Sequence, residues 1–270
     1  MSNMSKDLAA AKTASDSEMW ALLVKNRLEK LFLEARDHEN RYGLHASAIL
    51  ASDNDFCYRE QVLSLFYKMN QGENLPIKLL KIFAQGNAMH EKWYTLFRQA
   101  KIDVAIERSL FLEQYDLSFT IDALLSIFKE EIICDVKSQN TFAFKKQRGH
   151  PSGEKQVNFY LWALTVYTGI PHRRGFVLVD SKDDQEIKVV PVIYSKEKVA
   201  PYVQRLKDIQ VMKREFIEEH IVPPRKCKNC DVKRAAQCNM RDACFNIGMG
   251  RVKLDAGSKQ KRTQGLLQKG

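Results

Sequence analysis

The chain reads as a mixed α/β domain, a sheet flanked by helices, on three observations. Apolar residues recur at helical spacing ahead of residue 100. β-Branched and aromatic runs separated by short polar breaks fill residues 104–138. A helix, a hairpin and another helix then follow as far as Pro223–Pro224. With 270 residues, 44% apolar and 28% charged, the chain can bury one large core or two small ones. That excludes a disulfide-stapled mini-protein and a wholly disordered chain.

The first sixteen residues are small and polar and are expected to fray. Trp20, Leu23, Val24, Leu28, Leu31, Phe32 and Ala35 predict an amphipathic helix from Ser17 to about Arg41. A second helix is expected to start at Asp53 or Asp55, either of which can cap it, and to carry Cys57, Val62, Leu65 and Phe66. Gly72–Pro76 breaks the pattern, and Leu79 to Arg98 resumes it, with Gly86 and His90 one turn apart. Val104–Glu113, Ser118–Phe128 and Glu131–Ser138 predict a three-stranded meander. Thr141–Gly153 is polar and holds glycines, which predicts a loop; Glu154–Tyr167 is helical by pattern. Arg174–Asp180 and Glu186–Ile193 predict a hairpin turning at Lys182–Gln185. Ser195 to about His220 is helical, and Pro223–Pro224 ends it. The expected organisation is an N-terminal helical extension over 1–43, the main domain over 44–245 and a basic, disordered tail over 246–270.

Lys and Arg number 43 against 33 Asp and Glu, a formal net charge of +10, which suits a polyanionic partner. The segment Met1–Trp20 has no apolar core, so a secretory signal is not expected. The longest apolar stretch, Phe159–Ile170, falls short of the roughly 20 residues that a bilayer demands. A soluble, cytoplasmic protein with no membrane partner is the expectation, and there clustered cysteines bind metal more often than they form disulfides.

Two apolar runs hold acids where acids are expensive. In Ile132-Ile133-Cys134-Asp135-Val136-Lys137, strand alternation puts Asp135 and Lys137 on one face and Cys134 and Val136 on the other. An acid also interrupts Phe119-Thr120-Ile121-Asp122-Ala123-Leu124. Charges on buried strands are costly unless they face a polar cleft or pair with each other. If the two strands form a hairpin, Asp122 and Asp135 converge at one edge. Two carboxylates there would bind a hard divalent cation, which polarises a phosphate and acidifies bound water, while Lys137 orients that water or offsets developing charge. Read alone, D-x-K is an ordinary salt bridge at a sheet edge. His90, upstream, could add an imidazole and tilt the site towards Mn²⁺ over Mg²⁺. Gln156 and Tyr160, four apart on a predicted helix, could hydrogen-bond a phosphate or a base.

Taken in order, G-x-x-x-H, I-D, D-x-K and Q-x-x-x-Y resemble the motifs of the RecB-type nucleases of the PD-(D/E)XK superfamily. The resemblance runs from about Leu44 to Phe245. Thr120-Ile121 stand where the superfamily name implies proline, a difference many members share. It implies a nuclease core with a mixed central sheet flanked by helices. It further implies His90, Asp122, Asp135 and the Val136 carbonyl as ligands of Mn²⁺ or Mg²⁺, with Asp122, Asp135 and Lys137 as the catalytic set. Gln156 and Tyr160 would then face the DNA strand. The activity implied is hydrolysis of DNA phosphodiester bonds, from single-stranded ends.

The cysteine pattern adds to this. Cys227-x2-Cys230-x7-Cys238-x5-Cys244 follows the last helix, and four such thiols suit either a structural zinc site or an iron–sulfur cluster. Cys57, ahead of the motifs, resembles the arrangement of the RecB-like subfamily that includes AddB and the CRISPR-associated exonucleases. There one cysteine before the core and three after it hold a [4Fe-4S] cluster, stapling the two ends of the domain together. That subfamily usually shows C-x2-C-x5-C, whereas here four downstream cysteines compete for three places, and spacing does not say which is spare. Cys134 is expected in the core.

Phe142, Phe144, Lys145, Lys146 and Arg148 interleave aromatics and cations just after the D-x-K strand, as a single-strand channel would. The tail from Gly250 to Gly270 carries six Lys or Arg and one Asp, enough for salt-sensitive DNA affinity. No G-x-x-x-x-G-K-[ST] motif is present, so an unwinding motor would be a separate protein. Recombination or CRISPR-adaptation proteins are the partners the resemblance implies, in a bacterial, archaeal or phage-infected cell. Oligomeric state stays open. From another class, a non-catalytic DNA-binding or adaptor module would keep the fold and the cysteine site without cleaving.

Overall fold

The computed structural model describes residues 16–34, 43–67, 77–102, 104–127 and 130–247. The expected N-terminal fraying, the Gly72–Pro76 break and the basic tail lie outside the described residues. The chain divides into two compact units, Met1–Glu39 with Gly72–Asn87, and Asn40–Gln71 with Ala88–Gly270. In the first unit, helix α1 (Asp16–Glu34) and the start of a second long helix are linked by an ion pair between Lys81 and Glu29 at 3.2 Å. No described helix is long and apolar enough to cross a membrane.

The second unit is a mixed sheet with helices on both faces. Its elements are β1 (Leu44–His45), α2 (Ala46–Ile49), α3 (Tyr58–Ser64) and the later part of α4 (Ile77–Gln99). There follow β2 (Val104–Leu112), β3 (Leu117–Ile127), β4 (Glu130–Gln139), α5 (Thr141–Lys146) and α6 (Pro151–Thr168). The hairpin β5 (Arg174–Ser181) and β6 (Ile187–Ile193), the long α7 (Lys196–Glu218), α8 (Lys233–Ala236) and α9 (Arg241–Asn246) complete it. The sheet order is β1-β3-β4-β5-β6, with β2 on β3. Only β1–β3 and β4–β5 are parallel.

Each face of the sheet buries its own core. On one side, Tyr94 and Phe97 of α4 cover Ala123, Leu125, Cys134, Val136 and Leu178. On the other, Val157, Phe159 and Leu161 of α6 pack with Ile133, Val177 and Val179, and α7 closes over α6 through Leu206 and Ile209. Cys134 is fully buried in the first core, opposite Asp135, as alternation predicts. Contact between α6 and the sheet is close: a Cβ on Gly175 would meet Val157 Cγ1 at 2.6 Å and the Ile133 carbonyl oxygen at 2.9 Å.

Two expectations are corrected. The second helix starts at Tyr58 rather than at Asp53 or Asp55, with Cys57 as N-cap. Both aspartates are occupied elsewhere, Asp53 with Arg205 and Asp55 with the Ser52 hydroxyl. Thr141–Gly153 is not a loop. The Asn140 side chain accepts from the Ala143 N–H and starts α5, and α6 begins at Pro151 behind the His150 N-cap.

A buried acid pair where the sheet opens

Along one edge β3 pairs with β2; along the other it pairs with β4 only over Ala123–Ile127, and with β1 at Leu117 and Ser118. Between them no strand among the described residues pairs with that edge, and Asp122 sits at the fork. Regular alternation slips there too. Ile121 and Leu124 both face the α6 core, while Ala123 and Leu125 face α4. Opposite Asp122, Glu107 is missing from the β2–β3 register and adopts a left-handed backbone with φ of 48°. A non-glycine residue held there costs about 1–3 kcal/mol.

Strand separation frees the backbone of Val136, and side chains take it up. Its N–H donates to Asp122 Oδ2 at 2.9 Å, and its carbonyl oxygen accepts from His90 Nε2 at 3.0 Å. Because a carbonyl can only accept, Nε2 carries the proton, and Nδ1 accepts from the Tyr94 hydroxyl at 3.2 Å. His90 Nε2 also lies 3.9 Å from Asp122 Oδ2. His90 Nε2 therefore lies within 4 Å of two other atoms expected to share a cation, Asp122 Oδ2 and the Val136 carbonyl oxygen. Oxygen and nitrogen ligands on adjacent octahedral positions of an ion at about 2.1 Å are themselves about 3 Å apart.

Asp135 lies beside them, 1% exposed. Its Oδ1 accepts from Lys137 Nζ at 2.7 Å, as their shared strand face predicts. Its Oδ2 is buried with no hydrogen-bond partner among the described residues. Burial pushes this carboxyl up to about 7; the Lys137 ammonium pulls the other way, and the Asp122 charge adds to the rise. An acid held this way, with no donor on its second oxygen and the Asp122 carboxylate within hydrogen-bond reach, suits a shared proton or a cation better than it suits a solvent-screened surface.

Helix α6 brings the amide and phenol to the same side. Gln156 Nε2 donates to the Tyr160 hydroxyl at 2.9 Å, and the Tyr160 ring lies against Phe119 with centroids 5.7 Å apart. Burial raises the Tyr160 phenol, and the charges of Asp135 and Asp122 raise it further. At the helix start, burial and the Lys137 charge lower His150, whose Nδ1 accepts from the Gly153 N–H at 3.0 Å. Tyr94 thus belongs to the site through its hydrogen bond to His90, and His150 is the N-cap of the helix that carries Gln156 and Tyr160; neither was assigned a role from the sequence. Tyr94 could have been found from its position four residues after His90 on the same helix.

The basic segment is only partly as expected. Phe142 is 75% exposed with Lys146 Nζ 5.6 Å from its ring centre, but Phe144 is buried and holds Lys188 over its ring, so it is not open to a base. Lys145 pairs with Asp184 at 3.4 Å, and Arg148 is exposed after α5.

All six cysteines are free thiols. Cys57, Cys227, Cys238 and Cys244 line one small cavity together with Glu60, Lys226, Arg234 and Arg241. Cys230 is not among them, and its sulfur lies 3.6 Å from Asp231 Oδ1. Among the described residues, no three His, Cys, Asp or Glu side chains already stand at metal-ligand geometry, at either the acid pair or the thiols. The segment leading to Cys57 is held by cations from the far end of the chain: Arg234 donates to the Asn54 and Asp55 carbonyls, and Lys226 to those of Asp53 and Phe56.

No family model matches the chain, and no curated protein matches it. Among solved structures, SSO0001 is similar at 13% identity and a TM-score of 0.46, over 82% of this chain and 96% of that one. LHK-Exo in complex with dAMP is similar at 11% identity and a TM-score of 0.46, over 66% of this chain and 90% of that one. A second structure of LHK-Exo, an alkaline exonuclease from Laribacter hongkongensis, gives 12% identity and a TM-score of 0.41, over 70% and 95%.

Proposed function

We propose that this protein is a metal-dependent DNA exonuclease of the PD-(D/E)XK type that hydrolyses phosphodiester bonds from single-stranded ends. The observation that carries the proposal is Asp135: a buried carboxylate, half satisfied by Lys137, set beside Asp122 and His90 where β3 and β4 part. A structural salt bridge has no need of a second acid against it, a forked sheet and a carboxylate oxygen without a donor.

Mn²⁺ or Mg²⁺ would be held by Asp122, Asp135, the Val136 carbonyl and His90, whose proton would move from Nε2 to Nδ1 and be donated to the Tyr94 hydroxyl; when bound, the ion supplies a Lewis acid and a more acidic water. The protein's own groups do the rest. Tyr94 fixes the His90 ring through Nδ1. Lys137 keeps an ammonium beside Asp135, where it can orient a water and offset charge developing on a phosphate. Gln156 and Tyr160 present an amide and a hydroxyl to the strand, and Lys146, Lys145 and Arg148 supply cations for its phosphates, with Phe142 open to a base.

At the thiols the donor set fits a soft metal centre. Four cysteines line one cavity, together with Glu60 and three cationic side chains that would offset thiolate charge. Cys57, Cys227, Cys238 and Cys244 would hold a [4Fe-4S] cluster, leaving Cys230 spare; zinc is the competing occupant. Iron with broad visible absorbance in anaerobically purified protein supports the cluster, and a colourless sample with stoichiometric zinc replaces it.

The activity test is a labelled single-stranded oligonucleotide incubated with Mn²⁺. The wild type is expected to shorten it from an end, and Asp135→Ala and Lys137→Ala to lose about 10²–10³-fold in rate. No digestion by the wild type, or unchanged digestion by both variants, would remove the enzyme reading.

A further inference from the structure

Next to the thiol cavity lies a cation that is not one of its ligands. Arg59, two residues after Cys57 in the first turn of α3, is completely buried. Its Nε donates to Cys244 Sγ at 3.1 Å, and its Nη2 donates to the carbonyl oxygen of the same residue at 2.8 Å. Its Nη1 donates to the Pro223 carbonyl at 2.8 Å, beyond the end of α7. One rigid, planar group thus grips the side chain and the backbone of a single cysteine and ties both to the segment entering the cysteine region. Burying a guanidinium is costly unless charge-assisted hydrogen bonds repay it. A neutral thiol is a weak acceptor, whereas a metal-bound sulfur keeps negative charge and is a good partner.

We propose that Arg59 is the positioning residue of the four-thiol site: it aims the Cys244 sulfur at the cavity and donates a hydrogen bond to it in the loaded protein. This rests on the reading that Cys57, Cys227, Cys238 and Cys244 hold a metal centre. Arg59 reaches Cys244 twice, at the sulfur and at the backbone carbonyl, and Cys244 is the cysteine through which it is proposed to act. Lysine cannot replace it, since an ammonium brings the charge without the fork that reaches sulfur and carbonyl together. For an iron–sulfur occupant, a hydrogen bond to the ligating sulfur also sets the reduction potential, so its loss shifts that potential downward.

The test uses the full chain, purified anaerobically, as wild type, Arg59→Lys, Arg59→Gln, Cys244→Ser and the Arg59→Lys/Cys244→Ser double variant. The readouts are iron and zinc per chain, the rate of metal loss to a chelator, and far-UV circular dichroism as a check on folding. Arg59→Lys is expected to fold, to load metal, and to lose it at least about tenfold faster than wild type. In the Cys244→Ser background the same change is expected to add nothing, because the sulfur it acts through is gone. Wild-type retention in Arg59→Lys, or an equal effect in both backgrounds, overturns the role. So does a pattern in which Arg59→Lys and Arg59→Gln fail to fold while Cys244→Ser folds, since Arg59 would then be supporting the fold independently of the sulfur. A wild type holding neither iron nor zinc refutes the four-thiol site itself and the role with it, a result separable from each of the others.

Discussion

Burial raises the Asp135 carboxyl to about 7 because only one of its oxygens has a donor and Asp122 places a second negative charge beside it. The consequence for stability has a definite sign. Below about 4 the carboxyl is protonated in both folded and unfolded chains and contributes no pH dependence. Between about 4 and 7 the unfolded chain releases the proton and the folded chain retains it, so stability falls as pH rises through that window. The loss is complete above the folded value and is on the order of a few kcal/mol. Asp135→Asn is therefore expected to raise the melting temperature of metal-free protein at pH 8, to leave it little changed at pH 4, and to abolish nuclease activity. Thermal melts in EDTA at the two pH values check this; a variant destabilised at pH 8 would show that the carboxylate serves the fold rather than a cation. The pairing of Asp135 with Lys137 was legible from strand alternation alone. Tyr94, four residues after His90, was open to the same kind of periodicity argument, whereas His150 was not, because its place at the start of α6 is fixed only by packing.

At the level of elements, the site exists because β4 leaves β3 after Cys134 while α6 stays pressed against β4 and β5. Gly175 lies in that close contact, where a Cβ would meet Val157 and the Ile133 carbonyl oxygen. Gly175→Ala is expected to cost about 1–3 kcal/mol, since the Ile133 carbonyl cannot move aside as a flexible side chain would. It should also weaken nuclease activity by shifting Gln156 and Tyr160 on α6. Unchanged melting temperature and rate would mean that the helix can lift without consequence for the site. Strands and long helices were readable from periodicity, and the β2–β3–β4 meander was placed within a residue or two of its observed ends. The short helix α5 was not readable. Its six residues are too few to show a period, and it is completed from outside, by the Asn140 cap and by Lys188 donating to the Phe144 and Gln147 carbonyls.

Over the whole molecule, residues far apart in sequence meet at two places on the second unit. His90, Asp122 and Asp135 come from α4, β3 and β4, and their order along the chain carried the resemblance before any geometry was known. The thiols come from the residue before α3 and from the segment after α7, and there sequence spacing was insufficient. Cys227 and Cys230 are equally placed in the chain, yet only Cys227 faces the cavity, a distinction set by how the segment turns after Pro223–Pro224. The net charge of +10 indicated a polyanionic partner without locating its path. The central claim, that one imidazole and two carboxylates share a divalent cation, is tested most directly by calorimetric titration of Mn²⁺ into metal-depleted wild type, His90→Ala, Asp122→Ala and Asp135→Ala. The account predicts a saturable site in the wild type that weakens by about 10–100-fold in His90→Ala and is lost in both aspartate variants. Binding of equal strength in all four proteins would contradict it.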